Sequence, residues 1–215
     1  MVTVPNYLVF DEVDIRKIFS QEILTIPNRL RLQSFYDGEN DWCKFFSPDF
    51  NKIILQFFQL DYVNIFNKPS FWNNQTVHTD YRSMYALNVV YIHHQNNQEL
   101  VNKLIKYNNT TQKTNFNLSF DSKMEWFKIV KNTQKTIIKG SPTWHHINFS
   151  PDDVELIDSR CIDNKIALVR VDIPHRIKGC PYQRTCFSFR FKDNFKNWEE
   201  ALKYFSELNF NKIFK

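Results

Sequence analysis

From Phe71 onward the sequence breaks into short apolar runs separated by turn residues. "MEWFKIV", "TIIKG", "INFS", "DVELID", "IALVRVDI" and "TCFSFRF" follow one another at short intervals. Runs of this length are too short for buried helices, and Val, Ile, Phe and Tyr dominate them, so each predicts a strand. Regularly spaced short strands have to bury their apolar faces against one another, which predicts a mainly β sandwich or barrel. "TVHTDYRSMYALNVVYI" reads as strand, loop, strand, and "NQELVNKLIKY" brings Leu100, Val101, Leu104 and Ile105 together at helical spacing.

The flanks have a different texture. Before residue 71, "DEVDIRKIFSQ" and "SPDFNKIILQFFQL" predict short helices, the second opened by Ser47 or Asp49 as a cap. "NWEEALKYFSELNF" predicts an amphipathic helix with Trp198, Ala201, Leu202, Phe205 and Leu208 on one face, started by Asn197 with Glu200 and packed on the sheet. The expected organisation is one domain over residues 1–215, with a covering segment at 1–70, a β core at 71–192 and a helix within 193–215.

Composition excludes several classes. Three glycines in 215 residues, Gly38, Gly140 and Gly179, cannot build a phosphate-binding loop or a dinucleotide fingerprint. There is no basic leader followed by an apolar stretch and no long apolar window, so a soluble, cytoplasmic protein without membrane contact is expected. Four cysteines without a C-x-x-C pair predict reduced thiols. Net charge is +5, and Lys165–Lys192 holds seven cations against Asp172 alone, which suits either an anionic ligand or a solvated basic face.

"VHTDY" places His78 and Asp80 two residues apart. In a strand they share a face, so an imidazole and a carboxylate can reach one metal ion. His175, behind Pro174 at the end of "IALVRVDIP", can add a second imidazole. Two histidines and one carboxylate make the facial set of non-haem Fe(II) oxygenases, which leaves coordination positions open. In "QRTCFSFRF", Arg184, Cys186, Ser188 and Arg190 share a face by alternation. A guanidinium at Arg184 matches a carboxylate in bidentate fashion. "KGCPYQ" then reads as the connection from the strand carrying the ligand to a neighbouring strand carrying the anion clamp.

These segments, "HTD", "LNVVYI", "ALVRVDIPHRI" and "RTCFSFRF", resemble the Fe(II)- and 2-oxoglutarate-dependent oxygenase superfamily, and the last two are similar to small uncharacterised members from phages and bacteria. The resemblance covers about residues 71–192. It implies a double-stranded β-helix, or jelly-roll, core. It also implies His78, Asp80 and His175 as iron ligands and catalytic centre, and Arg184 as the partner of the distal carboxylate of 2-oxoglutarate. Ser188 would add a hydroxyl to that carboxylate. Asn88 is favoured over Tyr91 as a further co-substrate contact, since alternation cannot turn both inward. Fe(II), 2-oxoglutarate and O2 are the implied cofactors. Hydroxylation or demethylation is the implied reaction, on a small molecule, protein side chain or nucleobase.

Other residues offer less. His93 with His94, and His145 with His146, are adjacent and would face opposite ways in a strand. Cys180 and Cys186 with His175 fit no common zinc spacing. Trp72, Trp126 and Trp144 read as core aromatics, the last two also as pocket walls. A jelly-roll binding or structural protein without turnover is the alternative, because fold does not determine function. A metal enzyme using the same three ligands without a 2-oxo acid is a third possibility.

Overall fold

The computed structural model describes residues 4–26, 31–36, 38–68, 75–80, 83–93, 122–131, 136–139, 145–179, 182–192 and 195–208. The chain is mainly β, with two antiparallel six-stranded sheets and three α-helices among these residues. The large sheet holds β1 (Tyr7–Val9), β10 (Ile166–Arg170), β5 (Tyr85–His93), β12 (Gln183–Phe191), β3 (Leu60–Lys68) and β2 (Arg31–Tyr36), in that spatial order. The small sheet holds β7 (Thr136–Lys139), β8 (His145–Asn148), β4 (His78–Asp80), β11 (His175–Lys178), β6 (Lys123–Ile129) and β9 (Val154–Cys161).

The two faces of the large sheet pack differently, and alternation decides which residue goes where. On the outer face Val63, Ile65, Leu87, Val89, Phe187 and Phe189 meet the N-terminal helices and the C-terminal helix. Helix α1 (Ile15–Ile18) and α2 (Pro48–Phe57) supply Ile18, Phe50 and Ile54, all with no exposed surface. Phe46 and Phe187 meet edge to face at 4.6 Å between ring centres, and Phe46 stacks on Phe50 at the same distance. Ser47 caps α2, its hydroxyl accepting from the Phe50 amide. Helix α3 (Trp198–Glu207) is started by Asn197, whose side chain accepts from Glu200 N at 2.9 Å, while Glu200 accepts from Lys196 N at 2.7 Å. It buries Trp198, Ala201 and Phe205, as its apolar stripe predicts.

The inner face meets the small sheet. Ala86, Val90, Ala167 and Val169 pack with Met124, Trp126 and Ile177, and Tyr7 stacks on Trp126 at 5.3 Å. Trp126 is fully buried, and its indole N–H donates to Arg170 O.

The N-terminal seventy residues do more than cover the core, because β1, β2 and β3 are strands of the large sheet. The helix expected to run through "SPDFNKIILQFFQL" ends at Phe57, and β3 begins at Leu60. Burial on both faces hid β3 from its alternation: Val63 and Ile65 point outward to the helices, while polar Asn64 is equally buried on the inner face. The apolar run ending at His175 is also divided. β10 stops at Arg170, the chain crosses between the sheets, and His175 opens β11 in the small sheet. Strands β11 and β12 therefore face each other across the sandwich and are not neighbours within one sheet. The helix expected over "NQELVNKLIKY" lies outside the described residues, as do Trp72, Trp144 and Cys180.

Phe187 packs against Phe19, Phe45 and Phe46, just outside the two N-terminal helices, and is fully buried, so Phe187→Ala is expected to cost about 3–5 kcal/mol of stability. Urea unfolding followed by tryptophan fluorescence measures it, and a loss of under about 1 kcal/mol would contradict this packing.

Candidate metal centre

The crossover from β10 to β11 assembles the centre. Val171 N donates to Met84 O at 2.9 Å, Asp80 N donates to Val171 O at 3.0 Å, and Phe127 N donates to Pro174 O at 2.8 Å. These bonds hold residues 171–174 against β4 on one side and β6 on the other. His175 then lies directly opposite His78 in the antiparallel register. Paired residues project to the same face, so both imidazoles enter the space between the sheets. Their ring centres are 4.6 Å apart. One donor atom from each of His78, Asp80 and His175 lies within 4.8 Å of the others, and this group could hold a metal ion.

Each member is oriented by a second contact. His78 Nδ1 lies 2.8 Å from Thr76 O and His175 Nδ1 lies 2.9 Å from Ile173 O. A ring nitrogen beside a carbonyl carries the proton, so in each neutral ring Nε2 keeps its lone pair for a metal. Asp80 Oδ1 is 3.8 Å from His78 Nε2, and its other oxygen, Oδ2, accepts from Arg190 Nη2 at 2.5 Å. Burial works to raise the Asp80 pKa, but Arg190 and the two imidazoles outweigh it and hold the carboxyl below its ordinary value of 3.8. Burial, followed by the neighbouring His78, brings His175 down from 6.5 to about 4. A carboxylate and a neutral imidazole are the protonation states that metal binding requires.

The cleft beside these ligands is lined from both sheets. His78 and His175 come from the small sheet, and Lys68, Asn88, Arg184, Ser188 and Arg190 come from β3, β5 and β12 of the large one. Asn88 and Ser188 pair across strands in one inner row, and Tyr91 faces the other way onto Phe19 and His93. Arg184 is 2% exposed, and its nearest acid is Asp163, with Nε 3.7 Å from Oδ1. Arg184 Nε and Nη2, Ser188 Oγ and Asn88 Oδ1 are buried without a hydrogen-bond partner. Leaving such groups unmade costs about 1–3 kcal/mol each, more for a charged one.

Lys68 sits directly across from Arg184 in the register. Burial and then the Arg184 guanidinium push Lys68 below the ordinary lysine value. Like charges directly opposite each other destabilise a sheet. Neither Lys68 nor the Arg190–Asp80 contact is legible in the sequence reading. Alternation placed Arg190 on the correct face, but no local signal named its partner.

Neither a family model, nor a curated protein, nor a solved structure matches the chain. The basic stretch from Lys165 to Lys192 is largely internal business: Lys165 pairs with Asp11, Arg170 with Asp172, Arg176 with Glu125, Arg184 with Asp163 and Arg190 with Asp80. Cys186 lies in the cleft wall, where burial raises its pKa and keeps it a thiol. No described helix is long and apolar enough to cross a membrane.

The depressed His175 pKa has a defined sign. Below pH 6.5 the unfolded chain takes up a proton that the folded metal-free protein refuses until about pH 4. Stability of the metal-free protein should therefore fall as pH drops through this window, and His175→Gln should fall less. Urea midpoints at pH 7 and pH 5 for both proteins measure the difference, and equal losses would refute the assignment.

Proposed function

We propose that the protein is an Fe(II)- and 2-oxoglutarate-dependent dioxygenase with a double-stranded β-helix core, acting by hydroxylation or demethylation. The observation that carries this reading is the His78, Asp80 and His175 donor group, whose two histidines line one cleft with the buried Arg184 guanidinium, two of whose nitrogens lack a hydrogen-bond partner. Two imidazoles and one carboxylate suit ferrous iron and cover only part of an octahedral sphere. Arg184, Ser188 and Asn88 supply donors and acceptors where a dicarboxylic 2-oxo acid would lie. Bound there, the iron and 2-oxo acid supply dioxygen activation and hydrogen abstraction from a substrate C–H bond.

The topology agrees with a jelly roll. From β3 to β6 and again from β9 to β12 the chain passes between the two facing sheets, with eight antiparallel strands forming the shared framework and β1, β2, β7 and β8 extending its edges. In this reading the chain's own residues bind, orient and shield. Arg184 takes the distal carboxylate in place of water, with Lys68 adding a second positive charge. Apolar Met124, Val171 and Ile177 line the same cleft and exclude solvent from it. A small molecule, a protein side chain or a nucleobase can each present the C–H bond.

Turnover is the deciding test. Wild type with Fe(II) should convert 2-oxoglutarate to succinate, even without a second substrate, and His78→Ala and Asp80→Ala should not. Tight binding of Mn(II) and 2-oxoglutarate without succinate would instead indicate a jelly-roll binding protein. Arg184→Met should weaken 2-oxoglutarate binding about 10–100-fold with metal binding retained, the loss of a charge-assisted pair. Activity unchanged in Arg184→Met would point to a metal enzyme that uses no 2-oxo acid.

A further inference from the structure

The acid beside Arg184 is held just short of it. Asp163 places Oδ1 3.7 Å from Arg184 Nε, an ion-pair distance too long for a hydrogen bond. Both Asp163 oxygens are instead taken by Ser122, immediately before β6: Oδ2 accepts from the Ser122 amide at 2.8 Å, and Oδ1 accepts from its hydroxyl. The Asp163 side chain is 13% exposed, so little water reaches it. The following residues are pinned to β5, the strand beside β12. Asn164 takes a left-handed φ of 53°, which Asn tolerates, and its side chain accepts from Ile92 N at 2.9 Å, while Lys165 O accepts from Val90 N at 3.0 Å.

This arrangement separates two things that an acid does for a buried arginine. Asp163 offsets the charge of Arg184, because Coulomb attraction persists at 3.7 Å. Yet Arg184 Nε and Nη2 stay buried without a hydrogen-bond partner. Those donors are left for a ligand, and any anion that takes them acquires Asp163 as a fixed negative neighbour. Repulsion grows in proportion to the charge on the ligand, so a doubly charged end group is opposed twice as strongly as a singly charged one.

We propose that Asp163 is a specificity-determining residue, acting through Arg184, that matches the distal subsite to a singly charged acid group and turns away 2-oxo acids ending in a doubly charged one. The inference rests on the 2-oxo acid reading above. A counter-ion placed for stability alone fits poorly, since a buried pair offsets its desolvation only when geometry is good and the remaining hydrogen bonds are made, and this pair has neither.

The test uses the full chain and its Asp163→Asn and Asp163→Glu variants, loaded anaerobically with Mn(II), with thermal melts to monitor folding. Calorimetry measures the affinity of each for three probes: 2-oxoglutarate, 2-oxo-4-sulfonobutanoate and 2-oxo-4-phosphonobutanoate. At alkaline pH the last two share a tetrahedral end group and differ by one negative charge. Wild type should prefer the sulfonate. In Asp163→Asn the affinity for the phosphonate relative to the sulfonate should rise about tenfold, with no loss of 2-oxoglutarate binding, and in Asp163→Glu the preference of wild type should return.

An unchanged phosphonate-to-sulfonate ratio in Asp163→Asn overturns the proposal. A parallel loss of all three affinities and of melting temperature in both variants also overturns it, since that is the signature of a structural residue. Binding of 2-oxoglutarate by wild type with an unaltered ratio in Asp163→Asn removes this inference alone. Binding of none of the three acids by wild type removes the 2-oxo acid reading and this inference with it.

Discussion

Four residues, Val171 to Pro174, govern the geometry of this protein. They carry the chain from the large sheet to the small one, and their backbone groups bond to Met84, Asp80 and Phe127 on either side of the passage. Side-chain register follows from those bonds. Once Val171 O has accepted the Asp80 amide, His175 falls opposite His78, and a shift by one residue would turn His175 away from the cleft. The candidate centre is thus a product of backbone pairing, with the side chains supplying only the chemistry.

Around that centre the interior is unusually polar for the space between two sheets. Asn64, Asn88, Arg184, Ser188 and Arg190 are all buried on the inner face of the large sheet. Ser34 satisfies Asn64 through a 2.7 Å hydrogen bond, but Asn88 Oδ1, Ser188 Oγ and two nitrogens of Arg184 have no such partner. Asp163 only partly offsets Arg184, and it is itself drawn aside by Ser122, whose amide and hydroxyl both bond to it. The aromatic packing on the opposite face, where Phe46, Phe50, Phe187 and Phe189 meet, supplies the apolar burial that lets the fold tolerate this interior.

Much of this was legible where local rules apply. Alternation alone placed Arg184, Cys186, Ser188 and Arg190 on one face of β12, and it allowed only one of Asn88 and Tyr91 to turn inward without deciding which. The H-x-D spacing put His78 and Asp80 on one face of β4, the cap of α3 was marked by Asn197, and that of α2 was narrowed to Ser47 or Asp49, of which Ser47 is the cap. What escaped were relations between distant segments. Nothing near Lys68 indicates that it will lie across from Arg184, and nothing near Arg190 indicates Asp80, more than a hundred residues away. The strand character of β3 was masked by the apolar run of α2 before it, because a strand buried on both sides loses the in-and-out rhythm that would reveal it. The division at Arg170 was hidden for a related reason: "IALVRVDIPH" is apolar before and after the point where the chain changes sheets.

Both ends of the cleft are carried by a single strand, Arg184 at one end of β12 and Arg190 six residues along it. A β-strand advances about 3.3 Å per residue and scarcely stretches, so the two anchor points stand about 20 Å apart along the backbone. With β3 and β5 bonded along its two sides, β12 is held against sliding. The strand therefore acts as a ruler, and the separation of the two guanidinium anchor points is a property of backbone pitch before any side chain is consulted.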